Sequence, residues 1–226
     1  GTLFFSADDG VRGRELWKTD GTTTAMVKDI AAGAASSYPS YLTNVNGRLF
    51  FWAGGRLWTS DGTPAGTVEV GAGPAAMSDP VAVGATLYFR GQDSRGWELW
   101  KSDGTAAGTG LVRDIVAGAD GIGPQHLVSA GGKLFFAADD GAHGWELWTS
   151  DGTEAGTVIV KDIFPGAGSS GPFELTAVGQ ALFFRATDGV SGYELWTSDG
   201  TAGGTGLVKD VRPGAAGSEL RNLTAG

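Results

Sequence analysis

Apolar residues occur along this chain in short blocks of four to eight, each bounded by glycine, proline, aspartate or serine. Nowhere do they recur at helical spacing, so the pattern predicts short strands joined by turns. The fullest unit runs from residue 126 to residue 168. Residues 126–130 read as a first strand, and Gly131-Gly132 supplies the positive φ of a tight hairpin. Residues 133–138 read as a second strand rich in aromatics, 139–144 as a loop, 145–150 as a third strand, 151–156 as a turn and 157–163 as a fourth strand. Pro165-Gly166-Ala167-Gly168 then leads into the next unit.

The unit repeats. Its second strand returns as Leu3-Phe4-Phe5, Leu49-Phe50-Phe51, Leu87-Tyr88-Phe89, Leu134-Phe135-Phe136 and Leu182-Phe183-Phe184, with leucine spacings of 46, 38, 47 and 48 residues. Its third strand and turn return at 14–22, 55–63, 97–105, 144–153 and 193–201, each as Leu-Trp, two residues, then Asp-Gly-Thr. Strand-only periods of 40–50 residues are the signature of propeller blades. The predicted fold is therefore all-β, a five-bladed β-propeller with four antiparallel strands per blade. Both faces of a blade pack on neighbours, which fits the split of Leu134 and Phe136 from Phe135, and of Leu147 from Trp148, to opposite faces.

The chain begins at a second strand and finishes with a stretch, 220–225, that reads as a first strand. A single domain over 1–226 is expected, with a closing blade shared by 1–33 and 219–226 and the ring closed by pairing of N- and C-terminal strands. Joined end to end, the two termini are one residue shorter than the matching hairpin around Gly131-Gly132. Lys28-Asp29, Arg113-Asp114, Lys161-Asp162 and Lys209-Asp210 place charge on the outermost strand, where it discourages edge-to-edge pairing. Glu15, Glu98, Glu146 and Glu194 precede Leu-Trp in the same four units, and the second unit lacks both acid and base, having Arg56 and Gly71. That joint loss predicts a cross-strand ion pair such as Glu146 with Lys161.

Composition narrows the function classes. Forty glycines, eleven phenylalanines and eight tryptophans suit many tight turns around an aromatic core. A net charge of −9 repels phosphate backbones, so nucleic acid is not an expected partner. The chain has no cysteine, hence no disulfide framework or thiolate metal site. No apolar run approaches the roughly 18 residues of a membrane span, so no membrane insertion is expected. A start at Gly1 rather than Met reads as a processed or excised piece of something longer.

Glu98-Leu99-Trp100-Lys101-Ser102-Asp103-Gly104-Thr105 with Gly108-Thr109, and residues 194–201 with Gly204-Thr205, resemble the repeat of the bacterial ELWxxDGT-repeat proteins. The likeness extends over the whole chain. Two units depart from it: the first has Thr23-Thr24-Ala25 where Ala-Gly-Thr belongs, and the second lacks the Glu and most of its second-to-third-strand loop. The resemblance implies a β-propeller of extracellular or cell-surface location in bacteria. It implies no established activity and no catalytic residue.

Candidate chemistry is sparse. No cofactor is expected. The carboxylates that raise calcium are Asp8, Asp9, Asp139, Asp140 and Asp188, although Asp-Gly turn chemistry accounts for them without an ion. His126 and His143 are the only histidines and lie in different segments, which makes zinc a poor fit. Arg14, Trp97, Trp145 and Tyr193 share one position, directly before Glu-Leu-Trp, at the rim where a loop enters the third strand. Arg12, Arg95 and His143 are near them in sequence. Flat rings beside Arg and Asp suit stacking on sugars, and otherwise fill the gap between blades. The leading expectation is a non-catalytic extracellular binding module with repeated rim sites, for a glycan or a surface protein. A hydrolase or lyase with one site at the central channel, drawing on Gln125, His126, Glu174, Glu219 and Arg221, is the alternative. A purely structural propeller is the third reading.

Overall fold

The computed structural model describes residues 1–116, 118 and 123–226. Among the described residues the regular structure is entirely β, in five antiparallel sheets that follow one another along the chain. The first sheet holds β1 (Leu3–Asp8), β2 (Arg14–Thr19) and β3 (Thr24–Lys28). The second holds β4 (Ser40–Val45), β5 (Arg48–Ala53), β6 (Arg56–Ser60) and β7 (Val68–Glu69). The third holds β8 (Ala76–Val83), β9 (Thr86–Asp93), β10 (Gly96–Ser102) and β11 (Gly110–Arg113). The fourth holds β12 (Gln125–Ala130), β13 (Lys133–Asp139), β14 (Trp145–Ser150) and β15 (Val158–Lys161). The fifth holds β16 (Phe173–Val178), β17 (Ala181–Thr187), β18 (Tyr193–Ser198) and β19 (Gly206–Lys209). The arrangement is that of a five-sheet, propeller-like fold.

Turn chemistry fixes the register. Asn46 and Gly47, at φ 50° and 86°, form the two-residue loop between Val45 and its partner Arg48, the positive-φ turn that matches strand twist. In the Asp-Gly-Thr turns the Asp151 carboxylate accepts both the amide and the hydroxyl of Thr153. A Cβ at Gly156 would sit 2.1 Å from that carboxylate, so the second glycine of the motif is demanded by space. The register then sets Phe136 opposite Trp148 and Phe51 opposite Trp58, each pair with ring centroids 6.3 Å apart. Such cross-strand aromatic pairs stabilise a sheet by up to about 1 kcal/mol each.

Sheet packs on sheet through four apolar seams. Tyr88, Leu99 and Val112 of the third sheet bury against Leu134, Phe136 and Trp148 of the fourth, and the other three neighbouring pairs repeat the arrangement. Three of the outermost strands, β3, β11 and β15, send a basic residue across the seam. Lys28 Nζ donates to Thr67 O at 2.7 Å, Lys161 Nζ to Thr205 O at 3.0 Å, and Arg113 to Thr157 O, each cation lying over the tryptophan of the next sheet. These side chains therefore staple neighbouring sheets, a role that edge protection does not capture. Nor does Glu146 meet Lys161. The register bulges between Leu147 and Trp148 and sets Lys161 opposite Leu147. The buried Glu146 carboxylate instead accepts the amides of Ile163, Phe164 and Ser170 and the hydroxyl of Ser170, fixing the chain as it leaves β15.

The fifth seam, between the last sheet and the first, is not made. Residues 219–226 form no strand and no ladder with β1, so the expected pairing of the termini is not formed and the first sheet has three strands. Val27, Val112 and Val160 are 2%, 6% and 6% exposed, whereas the equivalent Val208 is 44% exposed. Leu49, Leu87, Leu134 and Leu182 are buried, whereas Leu3 is 64% exposed. The turn glycines Gly62, Gly104, Gly152 and Gly200 lie against Phe4, Phe50, Tyr88 and Phe135 of the preceding sheet, but the space over Gly21 is open.

Candidate functional site

The first strand of each of the second to fifth sheets carries a residue in the left-handed region: Tyr41, Asp79, His126 and Glu174, at φ 50–57°. Asn222, at φ 58°, stands at the same place in the terminal segment. In β4, β8, β12 and β16 the residue lies in a bulge, where the register with the second strand shifts. Each such non-glycine residue costs on the order of 1 kcal/mol, so five in one position constitute a built feature of the fold. Bulges re-aim side chains, and here they aim a different side chain from every repeat. The Thr two residues on secures the bend: Thr43, Thr176 and Thr224 donate their hydroxyls to the carbonyls of Tyr41, Glu174 and Asn222.

Two recesses open beside these positions. The larger, about 430 Å³, lies between the third and fourth sheets, with Asp79, Arg90, Gln125 and His126 among its lining. Arg90 pairs with the Asp79 carboxylate at 3.3 Å, and its guanidinium lies 5.0 Å from the centre of the Trp97 ring. Burial pushes the His126 imidazole below its ordinary pKa; nearby Asp79 opposes the shift and Arg90 adds to it. The smaller recess, about 290 Å³, is lined by Gly171, Phe173, Arg185 and Tyr193. Arg185 lies 4.3 Å from the Tyr193 ring centre. The His126 ring of the larger recess stands edge-on, at 4.6 Å, to Phe173 of the smaller one.

The residues singled out from sequence divide accordingly. Trp97 and Tyr193 join the arginines of the two recesses. Trp145 is half-buried; its amide donates to Ser169 Oγ and its carbonyl accepts from Gly171. Arg14 is exposed and tied the same way, to Ser36 and Ser37. The four sit one per sheet and do not converge. Arg12, Arg95 and His143 each pair with a carboxylate of their own loop, Asp9, Asp93 and Asp140 respectively. The bond to Asp140 raises the His143 pKa above its ordinary value.

The candidate calcium carboxylates serve their own turns. Asp8 and Asp139 accept the amides of Gly10 and Gly141, while Asp9, Asp140 and Asp188 each accept two amides. Bonds from the Arg12 and Val11 amides hold the Asp9 carboxyl below the usual range. Among the described residues no three His, Asp or Glu side chains come together as a metal site. Sequence reasoning missed Asp79 and Arg90. Their signal was present as departures from an otherwise regular repeat: Asp79 stands where other first strands have Tyr, His or Glu, and Arg90 recurs only as Arg185.

Compared with known protein families and with curated protein sequences, the chain matches none of either. Among solved structures it is similar to a mutant puromycin hydrolase, with TM-score 0.52 and 14% identity over 92% of this chain and 37% of that one. It is also similar to the computationally designed Ika8 protein, with TM-score 0.51 and 15% identity over 98% of this chain and 63% of that one. The chain thus spans less than two thirds of either, and at these identities the likeness extends to the fold alone.

Proposed function

We propose that this chain is a non-catalytic, extracellular or cell-surface binding module of bacterial origin. Its ligand, a glycan, contacts the two arginine–aromatic recesses. The observation that carries the reading is the repetition of one pair at one place, Arg90 with Trp97 and Arg185 with Tyr193, each beside a recess of sugar size. An aromatic ring braced on one face by a cation presents its free face for stacking, and nearby polar groups can bond hydroxyls. Two weak equivalent sites act together through avidity on a repeating ligand. Residues of the third, fourth and fifth sheets build the recesses, so the reading requires neither a closed ring nor a four-stranded first sheet. A glycan array followed by calorimetry tests it. Binding that weakens at least tenfold in both Trp97→Ala and Tyr193→Ala supports the proposal; no glycan binding at high protein concentration rejects it.

The alternative, a hydrolase or lyase, gains one observation: Asp79, Arg90 and His126 converge in a single, unrepeated cluster. Turnover of a glycoside or ester library that disappears in His126→Ala would favour it.

A further inference from the structure

The recess between the third and fourth sheets is built unlike the same place at the neighbouring seams. Three residues on from the leucine of the second strand, the second, third and fourth sheets have Trp52, Arg90 and Ala137. The bulge at the head of β12 brings Gln125 and His126 to the recess that Asp79 and Arg90 line from the other side. Between the fourth and fifth sheets His126 meets Phe173 instead, ring edge against ring. Val81 and Leu127 also line the recess, and both pack on the buried core that joins the two sheets. Polar walls therefore stand over an apolar floor. The volume, about 430 Å³, is that of a small-molecule site.

Among the described residues the lining carries one acid and one base, and their charges cancel. Arg90 pairs with Asp79 Oδ2 at 3.3 Å, and Ser78 Oγ donates to the same oxygen at 3.4 Å. Asp79 Oδ1 accepts no bond from the described residues, and half of the Asp79 side chain is exposed. Burial keeps the His126 imidazole neutral at neutral pH, so the ring offers one donor and one acceptor. Gln125 adds an amide that can do both. The recess thus combines hydrogen-bonding capacity with balanced charge.

We propose that this recess takes an uncharged sugar unit, whose hydroxyls donate to Asp79 Oδ1 and to the His126 ring. The proposal rests on the glycan reading and narrows it. A hexose has apolar C–H faces and a polar hydroxyl edge, the complement of this floor and these walls. A hydroxyl bonds a carboxylate about twice as strongly as a neutral acceptor, which makes Asp79 the main contact. A uronic acid would bring a second anion against Asp79, and an amino sugar a second cation against Arg90. Either leaves charge poorly compensated in a site partly shielded from water.

Titration of the isotope-labelled 226-residue chain, read at the amide shifts of Asp79 and His126, tests this. The probes are the methyl glycosides of glucose, mannose and galactose, each beside its uronic-acid and amino-sugar counterparts. At least one uncharged glycoside is expected to move both amides and to bind at least about tenfold more tightly than its charged counterparts. In Asp79→Asn the asparagine suits the left-handed backbone, as Asn222 does at the equivalent place, and its oxygen still accepts from Arg90. That variant should keep the wild-type circular dichroism, lose about tenfold in affinity for the uncharged sugar and shift its preference toward the uronic acid. His126→Asn, in the same backbone conformation, should lose a similar factor with no change of charge preference. Charged counterparts bound as tightly as the uncharged sugar, or a charge preference unaltered in Asp79→Asn, overturn the proposal and leave the wider glycan reading standing. So does a sugar that binds the chain without moving either amide. No binding by any sugar, on the glycan array or in titration, overturns both.

Discussion

At the scale of single residues, the repeat shows which positions are fixed by chemistry. The buried glutamate before Leu-Trp accepts four hydrogen bonds in Glu15 and Glu146, including one from the hydroxyl of Ser37 or Ser170. The residue four before the left-handed position is serine in those repeats, Ala75 in the second repeat, which has no glutamate, and Ile122, outside the described residues, in the third. Glu98, the acid that this third-repeat position would serve, accepts the Ile115 amide, and its other oxygen has no partner among the described residues. Burial accordingly pushes its pKa up to about 7, with nearby Asp114 and Asp93 adding to the shift and the Ile115 amide and Arg95 opposing it. A folded pKa above the unfolded value means that the folded chain holds the proton more tightly. Stability is then full below the unfolded value and declines as pH rises through the folded one. Urea melts at pH 5 and pH 8 should show Glu98 lowering stability by up to about 3 kcal/mol across that window. Glu98→Gln is expected to flatten that share of the slope; an unchanged slope contradicts the assignment.

At the scale of strands and sheets, hydrophobic alternation and turn residues made four strands per unit legible. They also placed Trp148 in the core, where it is 2% exposed. Pairings that depend on strand register were not legible. A one-residue bulge moves Lys161 from Glu146 to Leu147, and no period-2 pattern records a bulge. Two of the left-handed residues escaped because Tyr41 and Glu174 are not residues that a sequence marks for positive φ. The rim set was legible as a position, yet only Trp97 and Tyr193 gained an arginine partner, since the second-strand place two residues from the one opposite them, on the diagonal, holds arginine only at 90 and 185. The cross-seam staple carries its own prediction. Lys161→Met keeps the stem over Trp196 but leaves the Thr205 carbonyl without its charged donor, so a loss of about 1.5–3 kcal/mol is expected in chemical melts. Lys209 reaches no acceptor among the described residues, so Lys209→Met should change stability by less than about 0.5 kcal/mol. Equal effects of the two would remove the staple from the account.

At the scale of the whole molecule, the five-fold period was plain in the sequence, but whether the fifth sheet meets the first was not. A period counts sheets; the turn from each sheet to the next depends on how closely side chains such as Val160 and Trp196 interdigitate, and that is a property of packing. The central structural claim is therefore the open fifth seam. Amide hydrogen exchange tests it most directly. The alternate amides of β1 that do not pair with β2 are predicted to exchange rapidly, while β5, β9, β13 and β17, each flanked by strands on both sides, stay protected. Protection of every β1 amide to the level of those four strands would show that the termini pair after all, and would contradict the account.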